Sequence, residues 1–486
     1  MSEPAIVWFR QDLRVTNNPA LTAALENHEH VTPVFIYSLA ESAEWQHGAA
    51  SRWWLHHSLE SLAGTLFELG SRLIIRNGED SLGIMQELIE QTKARHIYWN
   101  RLYEPHHIKR DMHIKQALLD QGVEVNSFNG TLLFEPWEVT KKDGDPFRVF
   151  TPFWNACALS GLPGSVCDQP ERFPAVNTRI KSMKLESLEL LPQVRWDSSF
   201  SYYWQPGETG AHRHLDDFLD QAVMDYIDGR DRPDINGTSM LSPHLHFGEI
   251  SPQQVIDKTG QFVNISRQQG LIANADSFIR EIGWREFAYH LLYHFPHTVD
   301  RPLYERFEKF PWENNYSDNL SAWQHGLTGI PIIDAGMRQL WETGWMHNRV
   351  RMIVASLLTK NLLIPWQEGA KWFWDTLVDA DLASNTLGWQ WTAGCGADAA
   401  PYFRIFNPVT QAQKFDPAGI YIRRWVPEIA ALPDKYLYQP WTASAGILDE
   451  HGIKPGKHYP QPIVDLKATR ERALERYKNI KKSAPD

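Results

Sequence analysis

The first part of the chain alternates short β-branched runs with amphipathic stretches, a pattern that restricts it to a parallel α/β sheet. Stretches Ser51–Leu69 and Ser81–Thr92 carry apolar residues at three- and four-residue spacing, which predicts helices between strands. We therefore expect a doubly wound α/β domain over residues 1–131, with a ligand at the carboxyl ends of its strands. The predicted strands are Ala5–Phe9, Val31–Tyr37, Arg72–Arg76, His96–Trp99 and Val123–Phe128.

The pattern breaks down after this domain. Residues 161–200 hold Gly, Pro and Ser clusters without a sustained period, so residues 132–205 are predicted to be a long interdomain linker. After Gly207 the apolar spacing becomes helical, and residues 206–486 are predicted to form an all-α domain that ends in a basic helix at Lys467–Lys482. The other predicted helices of this domain are Ala211–Ile227, Ala275–Tyr293, Pro331–Glu342, Asn348–Leu363 and Lys371–Val378.

Composition excludes several classes of protein. Lys and Arg number 48 against 59 Asp and Glu, so the net charge of −11 argues against coating nucleic acid by bulk charge. Three cysteines are too few for a disulfide framework, a structural zinc site or a four-cysteine cluster. The N-terminus lacks a signal-peptide pattern and no apolar run approaches transmembrane length, so we expect a soluble, cytoplasmic protein without a membrane partner.

Two motifs suggest chemistry that their surroundings do not support. Gly394–Ala399 matches the loose dinucleotide fingerprint, but it does not follow a strand. His290 and His294 have the i, i+4 spacing of metal ligands, but no third ligand stands at a diagnostic spacing. The sequence therefore predicts no metal site.

Four clusters of the helical region combine residue types that suit a bound aromatic ligand. Glu281 and Trp284 share a helical face, and a carboxyl beside an indole tends to be protonated because desolvation raises its pKa. Such a carboxyl can donate a hydrogen bond to a carbonyl that gains negative charge. Asn348, Arg349 and Met352 combine an amide, a guanidinium and a thioether, which suit a planar base-like ligand.

The other two clusters contribute acids, indoles and hydroxyls. Two acids, an amide and two indoles lie within thirteen residues between Asp379 and Trp391. Gly237–Ser242 places hydroxyls and a glycine before a helical stretch, which predicts an anion cradle of backbone N–H groups. Taken singly, each cluster has an ordinary alternative as a helix cap, a core indole or a surface ion pair, and their joint occurrence favours a site.

Motifs spread in order over nearly the whole chain resemble the photolyase/cryptochrome family. They are Trp8–Arg14, Gly237–Ser242, Glu281–Phe287, Gly344–Arg349, Asn385–Trp391 and Tyr402–Pro408. The sequence is most similar to the class I cyclobutane pyrimidine dimer photolyases, with class III as the neighbouring branch. The resemblance implies a deoxyribodipyrimidine photo-lyase, a carbon–carbon lyase in which excited reduced FAD (FADH⁻) passes an electron to a lesion flipped out of UV-damaged DNA.

The resemblance also implies residue roles. Asn385 would face flavin N5, and Glu281 would hydrogen-bond the lesion carbonyl that gains electron density during catalysis. An electron-hopping chain to the surface would be formed by Trp389, Trp366 and Trp312. The residues implied to hold FAD are Tyr226, Thr238, Ser239, Met240, Leu241, Ser242, Phe278, Asp379, Ala380, Asp381 and Asn385. Those implied to contact the lesion or DNA are Arg230, Glu281, Trp284, Asn348, Arg349, Met352, Trp391, Arg404 and Gln411.

An antenna chromophore and a monomeric state are further implications of the resemblance. His106-His107 stand where the pterin-binding pattern has Asn-Glu, which leaves methenyltetrahydrofolate held elsewhere, a deazaflavin or no antenna as alternatives.

A photosensory cryptochrome is the runner-up. Against it, plant-type cryptochromes carry Asp where this chain has Asn385, and the chain ends about 80 residues after Pro408, without a long signalling extension. A (6-4) photolyase needs a pair of histidines in the lesion pocket, whereas here the position four residues after His347 is Arg351 and the next is Met352.

Overall fold

The computed structural model of the chain describes residues 3–161, 166–176, 179–402 and 404–483. Phe403 of the Tyr402–Pro408 motif, residues 162–165 and 177–178 of the predicted linker, and the outermost residues of both predicted domains lie outside these ranges. The chain divides into two compact units. The first unit is Met1–Met224 with Ser239–Pro296, and the second unit is Asp225–Thr238 with His297–Asp486. The predicted domain boundaries at residues 131 and 205 stay predictions.

A parallel sheet forms the centre of the N-terminal part of the first unit. Its order is β3-β2-β1-β4-β5, with Trp8 paired to Val34 and Val7 paired to Tyr98. The order runs outward from β1 in both directions, as in a doubly wound sheet, so the predicted fold class is confirmed. The strands are β1 (Ala5–Phe9), β2 (Val31–Tyr37), β3 (Ile74–Asn77), β4 (His96–Asn100) and β5 (Glu124–Phe128).

The strand predictions succeed where burial is continuous. Every residue of β1 and β2 is buried, as expected of parallel strands covered on both faces, and both strands have their predicted bounds. The prediction that the third strand starts at Arg72 is wrong, because pairing with β2 begins only at Ile74. The predicted bounds of β4 and β5 each differ by one residue.

Helices occupy most of the remaining chain, and the first seven belong to the first unit. They are α1 (Pro19–Asn27), α2 (Ala49–Glu68), α3 (Ser81–Thr92), α4 (Pro105–Leu119), α5 (Phe150–Ser160), α6 (Phe200–Tyr203) and α7 (Glu208–Gln221). The later helices are α8 (Tyr226–Gly229), α9 (Ser242–His246), α10 (Pro252–Ser266), α11 (Leu271–His294), α12 (Ser317–Gln324), α13 (Pro331–Thr343), α14 (Asn348–Ser356), α15 (Trp366–Thr376), α16 (Leu382–Ala393), α17 (Pro408–Phe415), α18 (Ile420–Trp425), α19 (Asp434–Leu437), α20 (Ala445–Glu450) and α21 (Leu466–Ser483).

Several helix predictions need correction. The predicted Ala211–Ile227 helix ends at Gln221, and the predicted Asn348–Leu363 helix changes at Leu357 into a π-helical turn that runs to Asn361. Helix α15 starts five residues before the predicted Lys371, because Pro365 has no N–H to satisfy and therefore suits the N-cap. Helix α5 lies inside the predicted linker and was not predicted at all.

Each unit has its own hydrophobic core. Trp8, Ile97 and Leu118 belong to the core that surrounds the sheet, whereas the large core of the second unit includes Trp366 and Trp389. No helix within the described ranges is long and apolar enough to cross a membrane.

Candidate active site

A cavity of about 180 Å³ opens within the second unit between α14, α15, α16 and the segment before α16. Its wall contains residues from two separate stretches of sequence, including seven that the sequence analysis selected. Those seven are Asn348, Met352, Asp379, Ala380, Asp381, Asn385 and Trp389. The side chains of Arg351, Phe373 and Leu377 complete much of the remaining wall.

The start of α16 orients the Asn385 amide at the cavity. Asp381 is the N-cap, and its carboxylate accepts a hydrogen bond from Ser384 N at 2.8 Å. Asn385, one turn further on, donates its Nδ2 to the carbonyl of Ala370 on α15 at 3.0 Å. This bond sets the rotation of the amide, so Asn385 has its Oδ1 to offer as an acceptor to a ligand in the cavity.

Asp379 presents a second acceptor. Its Oδ2 accepts a hydrogen bond from Arg351 at 2.8 Å, and within the described part of the chain its buried Oδ1 has no hydrogen-bond partner. Buried polar atoms of native proteins normally have a partner, so this oxygen is suited to a ligand donor. A flavin carries ring N–H groups on a planar apolar body. The two acceptors beside Phe373 and Leu377 therefore fit the flavin ring system that the resemblance implies.

Helix α14 begins beside the cavity, and a buried histidine caps it. His347 Nδ1 accepts a hydrogen bond from Arg349 N at 3.1 Å, and burial lowers the pKa of His347 to about 4. The ring is therefore neutral at pH 7 and engaged in holding the helix. The expectation that the chain lacks the proton-transferring histidine pair of (6-4) photolyases stays a prediction.

Arg349 and Met352 form a small cluster near the start of α14. The Arg349 guanidinium pairs with Asp231 at 2.5 Å, lies 4.5 Å over the Phe415 ring and approaches Met352 Sδ at 3.6 Å. Asn348, the first residue of the helix, is exposed. The cluster thus holds the thioether in place at the cavity wall.

Trp389 connects the cavity to the core. Its indole packs on Gly369, where a Cβ would come within 2.0 Å of the ring, and it lies 5.0 Å from the Phe373 ring and 6.2 Å from Trp323. Trp366 is buried in the same core, and Trp312 packs against this core beside Phe310 at 4.4 Å. The hopping order Trp389, Trp366, Trp312 stays a prediction.

In the segment Asp225–Thr238 of the second unit, two stretches of backbone lie very close together. A Cβ at Gly237 would lie 2.5 Å from the carbonyl oxygen of Gly229, so only glycine fits there. Tyr226 is buried at the start of α8, and Arg230 lies 5.5 Å over its ring. Thr238 directly follows Gly237. That this segment helps to hold the FAD phosphates stays a prediction.

The predicted cradle continues in the first unit with Ser239, Met240, Leu241 and Ser242. Met240 adopts φ +53°, the left-handed region that side-chain-bearing residues rarely occupy, and so turns the chain sharply before α9. On α11, Phe278 is buried against Phe218 at 4.5 Å.

Helix α11 carries Glu281 and Trp284, both partly exposed, on one face. Trp284 stacks on Phe150 of α5 with ring centroids 3.9 Å apart and planes 10° from parallel. The stack fixes the plane of the Trp284 indole. The expected protonation of Glu281 stays a prediction.

The remaining predicted DNA contacts lie in the second unit. Trp391 is partly exposed on α16, and Gln411 is partly exposed on α17. Arg404 is exposed, and its backbone N–H donates to Pro401.

The carboxyl edge of the sheet, where we expected a ligand, holds a buried polar network. Asn100 at the end of β4 donates to Asp12 at 2.6 Å, and Arg10 after β1 donates to the Asn100 carbonyl and to Asp111. Next to it, burial lowers the pKa of His106 to about 4, so this imidazole is neutral at pH 7. The antenna alternatives stay open.

Comparison with known proteins decides the family. The sequence model of the DNA photolyase family matches residues 5–175, and that of the family described as the FAD binding domain of DNA photolyase matches residues 278–479. A deoxyribodipyrimidine photo-lyase of Agrobacterium fabrum is 49% identical over 483 residues, which are 99% of this chain and 98% of the relative. The chain belongs to the photolyase/cryptochrome family.

Two further comparisons place it within this family. A crystal structure of a bacterial class III photolyase from Agrobacterium tumefaciens superposes with a TM-score of 0.94 at 48% identity, covering 99% of this chain and 98% of the other. Cryptochrome-2 of Arabidopsis thaliana is 39% identical over 97% of this chain and 78% of the relative.

Sequence reasoning missed the residues of this photolyase-family chain that support Trp284. Phe150 backs its indole, and Trp154, one turn along α5, packs onto α11 where Gly283 leaves room. A usable signal was present, because Phe150, Phe153 and Trp154 have the three- and four-residue spacing of an apolar helical face.

Gly283→Ala is expected to destabilise the protein by about 1–3 kcal/mol, because a Cβ there would lie 2.6 Å from the Trp154 ring. Gly64→Ala on α2 is the matched control, since a Cβ at Gly64 meets nothing within 4 Å. The control should stabilise by about 0.5–1 kcal/mol through helix propensity. Thermal melting of both variants is the measurement. Equal upward shifts would contradict the packing described for Gly283.

Glu286 makes stability depend on pH. Burial raises the pKa of Glu286 to about 7, while its Oε2 accepts hydrogen bonds from Leu133 N at 2.8 Å and Phe134 N at 3.2 Å. The folded state therefore binds a proton that the unfolded state releases near pH 4.5, and stability falls as pH rises from there through 7. The slope for this group is at most about 1.4 kcal/mol per pH unit.

Glu286→Gln should remove that slope, because the amide keeps an oxygen for the two N–H donors without titrating. Urea unfolding at pH 5, 6, 7 and 8 would show the variant gaining stability relative to the wild type as pH rises. Parallel pH profiles for the two proteins would show that Glu286 does not titrate in this window.

Proposed function

We propose that this protein repairs cyclobutane pyrimidine dimers in DNA, using light and an electron from reduced FAD. The observation that carries the proposal is the cavity of the second unit, in which Asn385 and Asp379 place two acceptors beside Asn348 and Met352. The 49% identical relative named deoxyribodipyrimidine photo-lyase supports the same activity.

Bound FAD would supply the electron when light excites it. The chain's part is to hold and orient the ring system. Asp379 would accept from a ring N–H while Arg351 balances its charge, and Asn385 would accept at N5 with its amide fixed by Ala370. Phe373 and Leu377 would keep water away from the ring edge. Gly237, with Thr238 to Ser242, would let the backbone approach the phosphates.

Lesion recognition would use the side chains with fixed orientation. A base stacked on an aromatic side chain gains roughly 1–3 kcal/mol, and the stack with Phe150 means that Trp284 loses little freedom when a base binds. Met352, held by Arg349, would contact the lesion by its polarisable sulfur. Glu281, if protonated, would donate to the lesion carbonyl on which extra electron density develops.

An acidic chain can bind DNA through a few local cations. Arg230, Arg349 and Arg404, with Gln411, are proposed to contact phosphates of the damaged strand, and Trp391 the lesion. The rest of the surface, with net charge −11 overall, would discourage coating of undamaged DNA. We propose that the protein works inside the cell, where its DNA substrate lies. We also propose, from the family resemblance, that it is a monomer and that it holds a folate or deazaflavin antenna.

The two rival activities have less support. The cryptochrome relative is 39% identical, against 49% for the photo-lyase. Repair of (6-4) lesions by a histidine acid conflicts with the buried, helix-capping His347.

The test is illumination of the reduced protein with two oligonucleotides, one with a thymine dimer and one with a (6-4) lesion, followed by chromatography. We expect the dimer to be converted to thymines only in the light, with the (6-4) lesion intact. Flavin photoreduction without any repair would support the cryptochrome alternative, and repair of the (6-4) lesion alone would overturn the substrate assignment.

A further inference from the structure

Helix α2 carries a cluster of metal-ligand atoms in the first unit. A ligand atom from each of His56, His57 and Glu60 lies within 4.8 Å of the other two. His57 Nδ1 and Glu60 Oε2 are 3.3 Å apart, which is long for a hydrogen bond with its usual ~2.9 Å. Two atoms each about 2.1 Å from a tetrahedral zinc ion lie about 3.4 Å apart. The pair thus has the spacing of two zinc ligands.

His56 supplies an independent observation. The residue is only 9% exposed, and its buried Nδ1 has no hydrogen-bond partner among the residues that the structure describes. A buried ring nitrogen without a partner is unusual in a native protein. The neighbouring His57 ring packs against Trp53 in an edge-to-face contact, at 4.7 Å between centroids. The two imidazoles are therefore held beside each other, with centroids 5.1 Å apart.

Charge around the cluster suits a divalent cation. The carboxylates of Glu60 and Glu186 both interact electrostatically with His56. Glu186 comes from the short 3₁₀ turn Leu185–Leu188, in the predicted linker. Two carboxylates with two neutral imidazoles would balance the charge of one divalent ion.

We infer that His56, His57 and Glu60 form a binding site for a divalent transition-metal ion such as Zn²⁺, with Glu186 as charge partner. Two imidazoles and a carboxylate are a donor set that zinc uses when it keeps a position open to water. None of these four residues is among those proposed to hold the flavin or the lesion, and the sequence analysis did not predict the site. Its i, i+1, i+4 spacing does not follow the usual motifs.

Other histidines of the first unit have partners that do not point to one common position where an ion could bind. His96 has a carboxylate on each side, but Glu3 lies at Nε2 and Glu124 at Nδ1, so the two acids face opposite ring nitrogens. In the His290 and His294 pair, one Nε2 accepts from Phe147 N and the other contacts the Pro136 carbonyl. His96 is therefore a matched control with equal charges and no common point for an ion.

The test is isothermal titration of ZnCl₂ into the FAD-loaded protein after EDTA treatment and transfer to metal-free buffer. We expect one saturable site per chain. His57→Ala and Glu60→Gln should each weaken it at least about tenfold, while His96→Ala leaves it unchanged. Glu60 is 68% exposed, so its variant keeps the fold and serves as the safeguard if His57→Ala alters it.

The opposite results are equally plain. The inference is wrong if wild-type protein shows no saturable zinc binding, or if Glu60→Gln binds zinc as tightly as the wild type. It is also wrong if His96→Ala weakens binding as much as the two site variants, since that would mean diffuse binding to surface histidines.

Discussion

Replacing Trp389 with phenylalanine is expected to abolish light-driven reduction of the oxidised flavin while leaving repair by chemically pre-reduced protein intact. Trp389 lines the cavity assigned to the flavin and is buried, so it is placed to be the first electron donor. Phenylalanine keeps an aromatic ring on Gly369 but is much harder to oxidise than indole. Absorption spectra recorded during illumination with an external thiol measure the effect.

Trp323→Phe is the matched control for this experiment. Trp323 contacts the Trp389 ring at 6.2 Å and is completely buried, yet it lies outside the predicted route through Trp366 and Trp312. Its variant should photoreduce like the wild type. If only the Trp323 variant fails to photoreduce, or if Trp389→Phe photoreduces normally, the predicted route must be abandoned.

Asp379→Asn is expected to lower flavin affinity by about 10- to 100-fold. The substitution removes a charged hydrogen-bond acceptor worth about 1.5–3 kcal/mol and leaves the Arg351 guanidinium without its carboxylate. The flavin content of the purified variant and a titration with added FAD are the measurements.

Asp231→Asn provides the comparison for Asp379. It breaks the Arg349 ion pair on the same helix, and Asp231 does not belong to the cavity wall. This control should retain FAD. Loss of FAD from both variants would mean that any broken ion pair on α14 suffices, and that Asp379 has no special contact with the flavin.

The elements that the sequence predicted well are those whose pattern is local. Strands β1 and β2 are continuous buried runs, and α3 begins after Asp80, which caps it through Leu82 N and Gly83 N, so its predicted bounds were correct. The switch to a π-helical turn at Leu357 was not predictable in this way. It accompanies the burial of Lys360, whose Nζ donates to Ala393 at 2.7 Å, and that contact depends on a distant helix.

The same distinction between local patterns and long-range contacts applies to the candidate site. Motif resemblance selected Asp379, Asn385 and Asn348, and the structure brings them to one cavity. It could not reveal that Ala370 orients the Asn385 amide, or that an unpredicted helix supplies the ring behind Trp284. Such contacts join residues far apart in sequence, and no periodicity encodes them.

The capping role of His347 has a consequence for protein engineering. A designer seeking (6-4) repair would naturally keep this histidine and add a second one at Arg351 or Met352. Yet the existing ring already accepts from Arg349 N, and burial lowers the pKa of His347 to about 4, so at neutral pH the ring is not an imidazolium and is a poor proton donor. The Arg349 N–H would first need another acceptor in place of the His347 ring, and the freed imidazole would need a route to reach solvent. New substrate choice in this scaffold therefore begins with rebuilding a helix end.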